Sequence, residues 1–157
     1  MADIYDAETY EPRKGVGHLL HRVRTEMLAA MDHEMVADEQ LAAMDVTSAQ
    51  FIVIACLSIG EVKSASDLCK HISYDAGAMT RMIDRLEEKG LIRRSRCPND
   101  RRLVNLELTE KGQTALPRMR GAAMRVVNRF LQGFTKAEAR QLEGFLTRML
   151  ENTPRGS

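Results

Sequence analysis

The sequence predicts a mainly α-helical chain carrying one small β-ribbon, and three observations predict it. Apolar residues recur at spacings of three and four along most of the chain, which is the helical period. One segment near residue 100 switches to strict alternation, the strand period. Met, Leu, Ala, Glu and Arg are abundant while Trp is absent, a composition that suits helices around an aliphatic, methionine-rich core. At 157 residues the chain has the size of one domain, or of one subunit of an intertwined oligomer, and residues 1–157 read as a single unit.

Val16, Leu20, Val23, Met27, Ala30 and Met31 mark a long amphipathic helix from Val16 to Met35. Thr47 and Gln50 stand in capping-box positions before the apolar run Phe51 to Leu57, and Gly60 closes a short, buried second helix. Ser64, with Asp67 three residues on, caps a third helix whose one face holds Ala65, Leu68, Cys69 and Ile72. After a break at Ser73 to Asp75, a fourth helix runs from Ala76 to Lys89. Met79, Met82, Ile83 and Leu86 form its apolar stripe and Gly90 its stop. Two short helices so closely spaced are a helix-turn-helix signature.

Leu91 to Arg96 and Arg102 to Leu108 read as two strands joined through Cys97, Pro98, Asn99 and Asp100. Val104, Leu106 and Leu108 should seat the ribbon on the core, with Leu103, Asn105 and Glu107 facing the other way. Thr109 caps the next helix, which carries Leu116, Met119, Ala123, Val126 and Phe130, and Pro117 should kink it or end its first turns. A last helix starts near Thr135 with Leu142, Phe145, Leu146 and Met149 on one side. Residues 45–112 thus form a helix-turn-helix lobe with a wing. Residues 12–40 and 113–151 supply flanking helices, whose stripes need each other and a second subunit for cover.

The net charge of +1 conceals an uneven distribution. Residues 1–12 and 32–45 hold acidic residues and no Lys or Arg, whereas between 81 and 102 eight cations face four acids, a local +4. Such a patch on a neutral protein is the footprint of a polyanion site. The longest apolar run falls far short of the roughly 20 residues a membrane span needs. The acidic N-terminus lacks a signal-peptide layout, so a cytoplasmic protein is expected. Cys56, Cys69 and Cys97 show no CxxC spacing, which disfavours a disulfide framework or zinc finger. No P-loop, GxGxxG, GxSxG or HExxH motif is present, and neither an enzyme nor a cofactor is expected.

A helix that enters the DNA major groove needs slim residues at its tip and a long donor-rich side chain behind them. Gly77, Ala78, Thr80 and Arg81 meet that need, with Arg85 to one side and the turn residues Ser73, Tyr74 and Asp75 in the same surface. Glu87 and Glu88 would be repelled by phosphate, so the C-terminal half should point out of the groove. A ribbon directly after such a helix acts as a wing, and Asn99, Asp100, Arg101 and Arg102 would form its tip at the minor groove. Asp100 would hold a neighbouring guanidinium and pre-orient it.

The run "MTRMIDRLEEKGLIRR" followed by "DRRLVNLELTEKG" resembles the MarR family of bacterial winged-helix repressors, and the likeness extends from about Gly15 to Leu150. It rests on Asp100-x-Arg102 in the wing and on Leu108, Thr109 and Gly112 after it. The resemblance implies a homodimer on pseudo-palindromic double-stranded operator DNA, with Ala76 to Lys89 as recognition helix, Arg102 as the wing arginine, and release by a small molecule. It also implies an effector cavity between the dimer helices and the DNA-binding lobe. His18, His21, Arg22, Cys56 and His71 are its polar candidates, and Arg22 suits the carboxylate of an aromatic acid. The same histidines also fit interface or surface positions, and Cys56 fits a core thiol. His18 and His21 lack a third metal ligand, so no metal is expected. Oxidation of Cys69 or Cys97 is a rival switch, although redox-sensing members usually carry an N-terminal cysteine and this chain has none before Cys56. A dimerisation module that binds no DNA is a further alternative, and it leaves the +4 patch unexplained.

Overall fold

The computed structural model describes residues 3–60, 62–72, 74–96 and 104–153, and seven helices and one antiparallel ribbon are formed among them. α1 (Val16–Ala37) ends where Asp38 turns to extended backbone, and its carboxylate accepts the N–H groups of Gln40 and Leu41 at 3.0 and 3.1 Å. That cap starts a separate short helix, α2 (Glu39–Met44), which the sequence reading had not distinguished. α3 (Ser48–Ile59) opens on the expected capping box, with Thr47 and Gln50 exchanging side-chain to backbone bonds at 3.2 Å, and ends at Gly60 with φ 81°. α4 (Ala65–Ile72) starts at Ser64, whose hydroxyl accepts the Asp67 N–H at 3.1 Å. α5 (Ala76–Glu88) follows, and Gly90 with φ 67° releases the chain into the ribbon.

β1 (Ile92–Arg96) pairs with β2 (Val104–Leu108) in a register that sets Ile92 against Leu108, Arg94 against Leu106 and Arg96 against Val104. Leu106 is buried and Leu108 half-buried, but Val104 is 45% exposed, so β2 seats on the core through Leu106 and Leu108, beside the buried Ile92 of β1. Alternation assigns Val104 to the correct face of the ribbon, but at its position the ribbon has already run past the lobe beneath it. A third backbone run joins the sheet edge, where Leu106 N–H donates to Lys63 O at 2.8 Å.

α6 (Glu110–Phe130) is fastened to the root of the ribbon by Thr109. Its N–H donates to Leu91 O at 3.1 Å, its hydroxyl donates to Gly90 O at 2.6 Å and accepts the Gly112 N–H at 3.1 Å. The helix runs on through Pro117 without ending there. Pro117 and Gln113, whose carbonyl loses its i+4 donor, both lie on the exposed side, where water can satisfy that carbonyl. α7 (Lys136–Glu151) starts at a Thr135–Glu138 capping box.

One continuous core unites Met31 and Met35 of α1, Leu41 of α2, Val53 and Ile54 of α3, Leu68, Met79, Ile83, Leu86, Ile92 and Met119. Two ion-pair groups hold α1 against α6: Glu34 with Arg125 and Arg129 at 2.8 and 2.7 Å, and Asp38 with Arg118 at 3.1 Å. α7 contributes no buried residue, and Val16, Leu19 and Val23 on the first half of α1 are also exposed. The stripes at both ends of the chain are therefore uncovered in one copy.

Candidate nucleic-acid interface

α5 begins at Ala76 because Asp75 is extended there and its Oδ1 accepts the Ala78 N–H at 2.8 Å. The carboxylate satisfies one open donor of the first turn and complements the positive end of the helix dipole. Ala76 and Gly77 behind it are exposed. A Cβ on Gly77 would stand 3.3 Å from Asp75 Oδ1, a tight approach to the capping carboxylate, and 3.6 Å from Arg81 Nη1, an ordinary contact. Thr80 donates its hydroxyl to Ala76 O at 2.8 Å, which leaves the Thr80 Oγ1 free only to accept. Met79, Ile83 and Leu86 are buried, and this turns Thr80, Arg81 and Arg85 outward together. Between this face and the start of α3, a cleft of about 270 Å³ is bounded by Thr47, Gln50, Ala78, Arg81, Met82 and Arg85. Tyr74 is half-buried in the turn before the helix, while Ser73 lies outside the described residues.

The ribbon stands directly beside α5, and the structure divides the basic segment into two groups. Lys89 Nζ donates to Gln50 Oε1 at 3.1 Å and pairs with the Asp45 carboxylate at 3.2 Å, tying the end of α5 to the start of α3. Arg93 pairs across the ribbon with Glu107 at 2.8 Å, and Ser95 Oγ donates to the same carboxylate at 2.8 Å. These two partners, the Ser95 hydroxyl first, hold the Glu107 carboxyl below its ordinary range. Arg94 bonds Asp84 Oδ1 at 2.6 Å and also pairs with Glu87, and both carboxylates push its pKa further up, Asp84 more strongly. Arg81, Arg85 and Arg96 make no ion pair among the described residues. The tip residues Asn99, Asp100, Arg101 and Arg102 lie outside the described residues, as does Cys97.

The five effector candidates are not brought together in one copy. His18 is half-buried and His21 and Arg22 are exposed on α1, Cys56 is buried in α3, and His71 is exposed on α4. Each of the main cavities is bounded by at most one of them; His71 shares a shallow one with Val62, Asp67 and Lys70. Burial pushes the Cys56 thiol up. Among the described residues no three His, Cys, Asp or Glu side chains are grouped to hold a metal ion, and no helix is long and apolar enough to cross a membrane. The cap at Asp75 and the pairings of Lys89, Arg93 and Arg94 were absent from the sequence reading. Asp75 was legible from its place just before a helix; the others depend on the fold.

A helix-turn-helix of α4 and α5, followed by a two-stranded wing, makes this a winged-helix protein. The model of the MarR family matches residues 46–104. Among curated relatives, the multiple antibiotic resistance protein MarR of Escherichia coli is 36% identical over 97 residues, which is 62% of this chain and 63% of that protein. The HTH-type transcriptional repressor MdtR of Bacillus subtilis is 29% identical over 78% of this chain and 73% of its own. Among solved structures, the reduced form of E. coli MarR is 30% identical, with a TM-score of 0.69 over 87% of this chain and 96% of that one. A mutant E. coli MarR complexed with operator DNA is 28% identical, with a TM-score of 0.72 over 86% and 93%. BpsR of Bordetella bronchiseptica, solved in a study of how 6-hydroxynicotinic acid regulates its DNA binding, is 27% identical with a TM-score of 0.73 over 92% and 99%. The chain belongs to the MarR family of winged-helix transcriptional regulators.

Proposed function

We propose that the chain is a cytoplasmic repressor that binds pseudo-palindromic operator DNA as a homodimer and is released by a small aromatic acid. The observation that carries this reading is the tip of α5. Slim residues there open the backbone to approach, and Arg81 and Arg85 face outward with no ion pair among the described residues. Arg81 takes the base-reading role, Arg85 and the turn residues Ser73, Tyr74 and Asp75 border it, and Asn99 to Arg102 serve the wing contact. The uncovered stripes of α1 and α7 support the dimer, because burying them against a second copy removes exposed Val, Leu, Phe and Met side chains from water. A dimer of this kind would read half-sites about one helical turn, or roughly 10 bp, apart.

Repression and release draw support from relatives: MdtR is named a repressor, and BpsR is regulated by an aromatic acid. Within this chain a cavity of about 530 Å³ lies between the end of α3, the ribbon and α6. It offers Lys63, Asn105 and Gln113 as polar partners for an anion alongside Leu57, Leu106 and Leu116. Arg22, His18 and His21 would join an effector site only through a second copy. The raised thiol of Cys56 makes it a poor nucleophile, which weighs against oxidation sensing at that residue. A gel shift against the promoter region of the protein's own gene tests the reading, followed by titration of aromatic acids into the complex. Retardation reversed by an acid is expected, and equal affinity for promoter and random duplex would refute it.

A further inference from the structure

We propose that Arg94 is a positioning residue that locks the wing to the recognition helix through Asp84 and Glu87 and does not itself contact DNA. The proposal rests on the DNA-binding reading above. Arg94 is the third residue of β1, and the register places it opposite Leu106, on the ribbon face that looks toward the core. Its side chain is 35% exposed, much less than the 66% of neighbouring Arg93. Asp84 and Glu87 are three residues apart on α5 and therefore lie on one face, one turn from each other. The guanidinium bridges them, with Nη2 on Asp84 Oδ1 at 2.6 Å and Nη1 on Glu87. The Arg94 backbone N–H also donates to Glu87 Oε1 at 3.1 Å. One carboxylate of α5 is thus bonded to both the main chain and the side chain of the same β1 residue. Such a contact fixes direction as well as distance, as planar guanidinium pairs do.

Beyond the apolar seat of Ile92, Leu106 and Leu108, the other polar anchors of the ribbon lie at its root and along its β2 edge. Thr109 holds its root at Gly90 and Leu91, and Lys63 O holds the edge of β2. Neither links the ribbon to α5; among the described residues the Arg94 trio makes every ionic link between them. The trio also accounts for two of the carboxylates on a DNA-facing helix, Asp84 and Glu87. A bound guanidinium cancels one of the two charges and directs both toward the protein. Helix and wing then meet the duplex as one preorganised unit, and binding need not order the wing against the helix.

The test uses the full-length protein and a fluorescent duplex selected by it from a random pool, with affinity read by anisotropy across a range of NaCl concentrations. Asp84→Asn with Glu87→Gln removes two negative charges from the interface. If those carboxylates only repelled phosphate, binding would tighten, and that result overturns the proposal. The lock requires the opposite, a loss of about tenfold. Arg94→Met should cause a similar loss, and adding it to the double variant should cost nothing more. Additive losses, or a salt slope lowered by about one for Arg94→Met with normal binding by the carboxylate variants, would make Arg94 a phosphate contact instead. Amide hydrogen exchange on the free protein gives an independent readout: the double variant should exchange faster at Arg94 and Leu106 while α3 is unchanged. Unaltered exchange in the ribbon overturns the proposal. Failure of the pool to yield any enriched duplex would instead count against the DNA-binding reading, and the exchange experiment would still decide the lock.

Discussion

Gly112 is the position where a single methyl group should do most damage to the wing. It sits at the third residue of α6, and an added Cβ would stand 2.1 Å from Leu91 O and 3.1 Å from Leu91 C. A carbon normally approaches a carbonyl oxygen no closer than about 3.3 Å, so the two backbones must separate by about 1.2 Å. Leu91 O is the acceptor for the Thr109 N–H, and Gly90 O beside it accepts the Thr109 hydroxyl, so separation stretches both bonds. Each is worth about 1 kcal/mol net, and the overpacking itself costs about 1–3 kcal/mol. Alanine recovers at most about 1 kcal/mol through helix propensity. Gly112→Ala should therefore destabilise the protein by roughly 2–4 kcal/mol. Gly121→Ala in the same helix, where the nearest atom would be Arg125 Nη1 at 3.6 Å, should be neutral or stabilising by up to about 1 kcal/mol. Urea unfolding of both variants at one protomer concentration measures the contrast. Equal stability of Gly112→Ala and wild type would refute the packing argument and leave the motif glycine without a steric reason.

Other expectations follow from the same geometry. Arg81→Ala should relax base preference at one position of a selected duplex by roughly 1–3 kcal/mol, measured by competition binding; equal losses on selected and random DNA would make Arg81 a phosphate contact. Phe145→Glu on α7, where Phe145 is 47% exposed in one copy, should shift dimer dissociation by roughly a thousandfold, since about 2 kcal/mol of burial is lost in each copy. Sedimentation showing a dimer unaltered at low micromolar concentration would remove α7 from the interface. Glu34 is held below the ordinary carboxyl range first by Arg125, Asp38 first by the Leu41 N–H, and Glu107 first by Ser95. Because these folded values are depressed, their stabilisation is complete at neutral pH. It is lost as the pH falls below the ordinary value near 4 and through the folded ones. Thermal melts should therefore be nearly flat from about pH 7 to 5 and fall below that, with Glu34→Gln weakening the dependence; a melting temperature that rises on acidification would contradict this.

What the sequence discloses about this fold is what forms within a few residues. The Thr47–Gln50 box, the Ser64–Asp67 cap and the Thr109 cap each join groups three residues apart, so their partners can be read directly. The short helix Glu39–Met44 escapes that reading because its six residues offer only Leu41 and Met44 as large apolar positions, too few to show a period, and Leu41 stands six residues after Met35, off the three-four spacing of α1. The exposure of Val104 escapes it because alternation reports a face and not how far the lobe extends beneath it. Among site residues, the slim tip and outward Arg81 and Arg85 follow from the stripe of Met79, Ile83 and Leu86, which fixes the opposite face. Lys89 reaches a partner 44 residues away and Arg93 one that depends on ribbon register, so neither pairing is local.

This distinction alters what the basic segment means. Counted along the chain, its eight cations are equivalent, and their excess of four suggests a general attraction to phosphate. In three dimensions Lys89, Arg93 and Arg94 are engaged by Asp45, Glu107, Asp84 and Glu87, and every acid in that group lies within or beside the proposed interface. An unpaired arginine at the positions of Arg93 or Arg94 would bind any duplex and add affinity without discrimination. Pairing them internally converts that nonspecific attraction into rigidity and leaves Arg81, Arg85 and Arg96 as the described cations able to reach out. Replacing Glu107 by Gln should then raise affinity for random DNA through the released Arg93, and lower the ratio of specific to nonspecific binding. An unchanged ratio would mean that Arg93 faces away from the duplex and that the pair serves the ribbon alone.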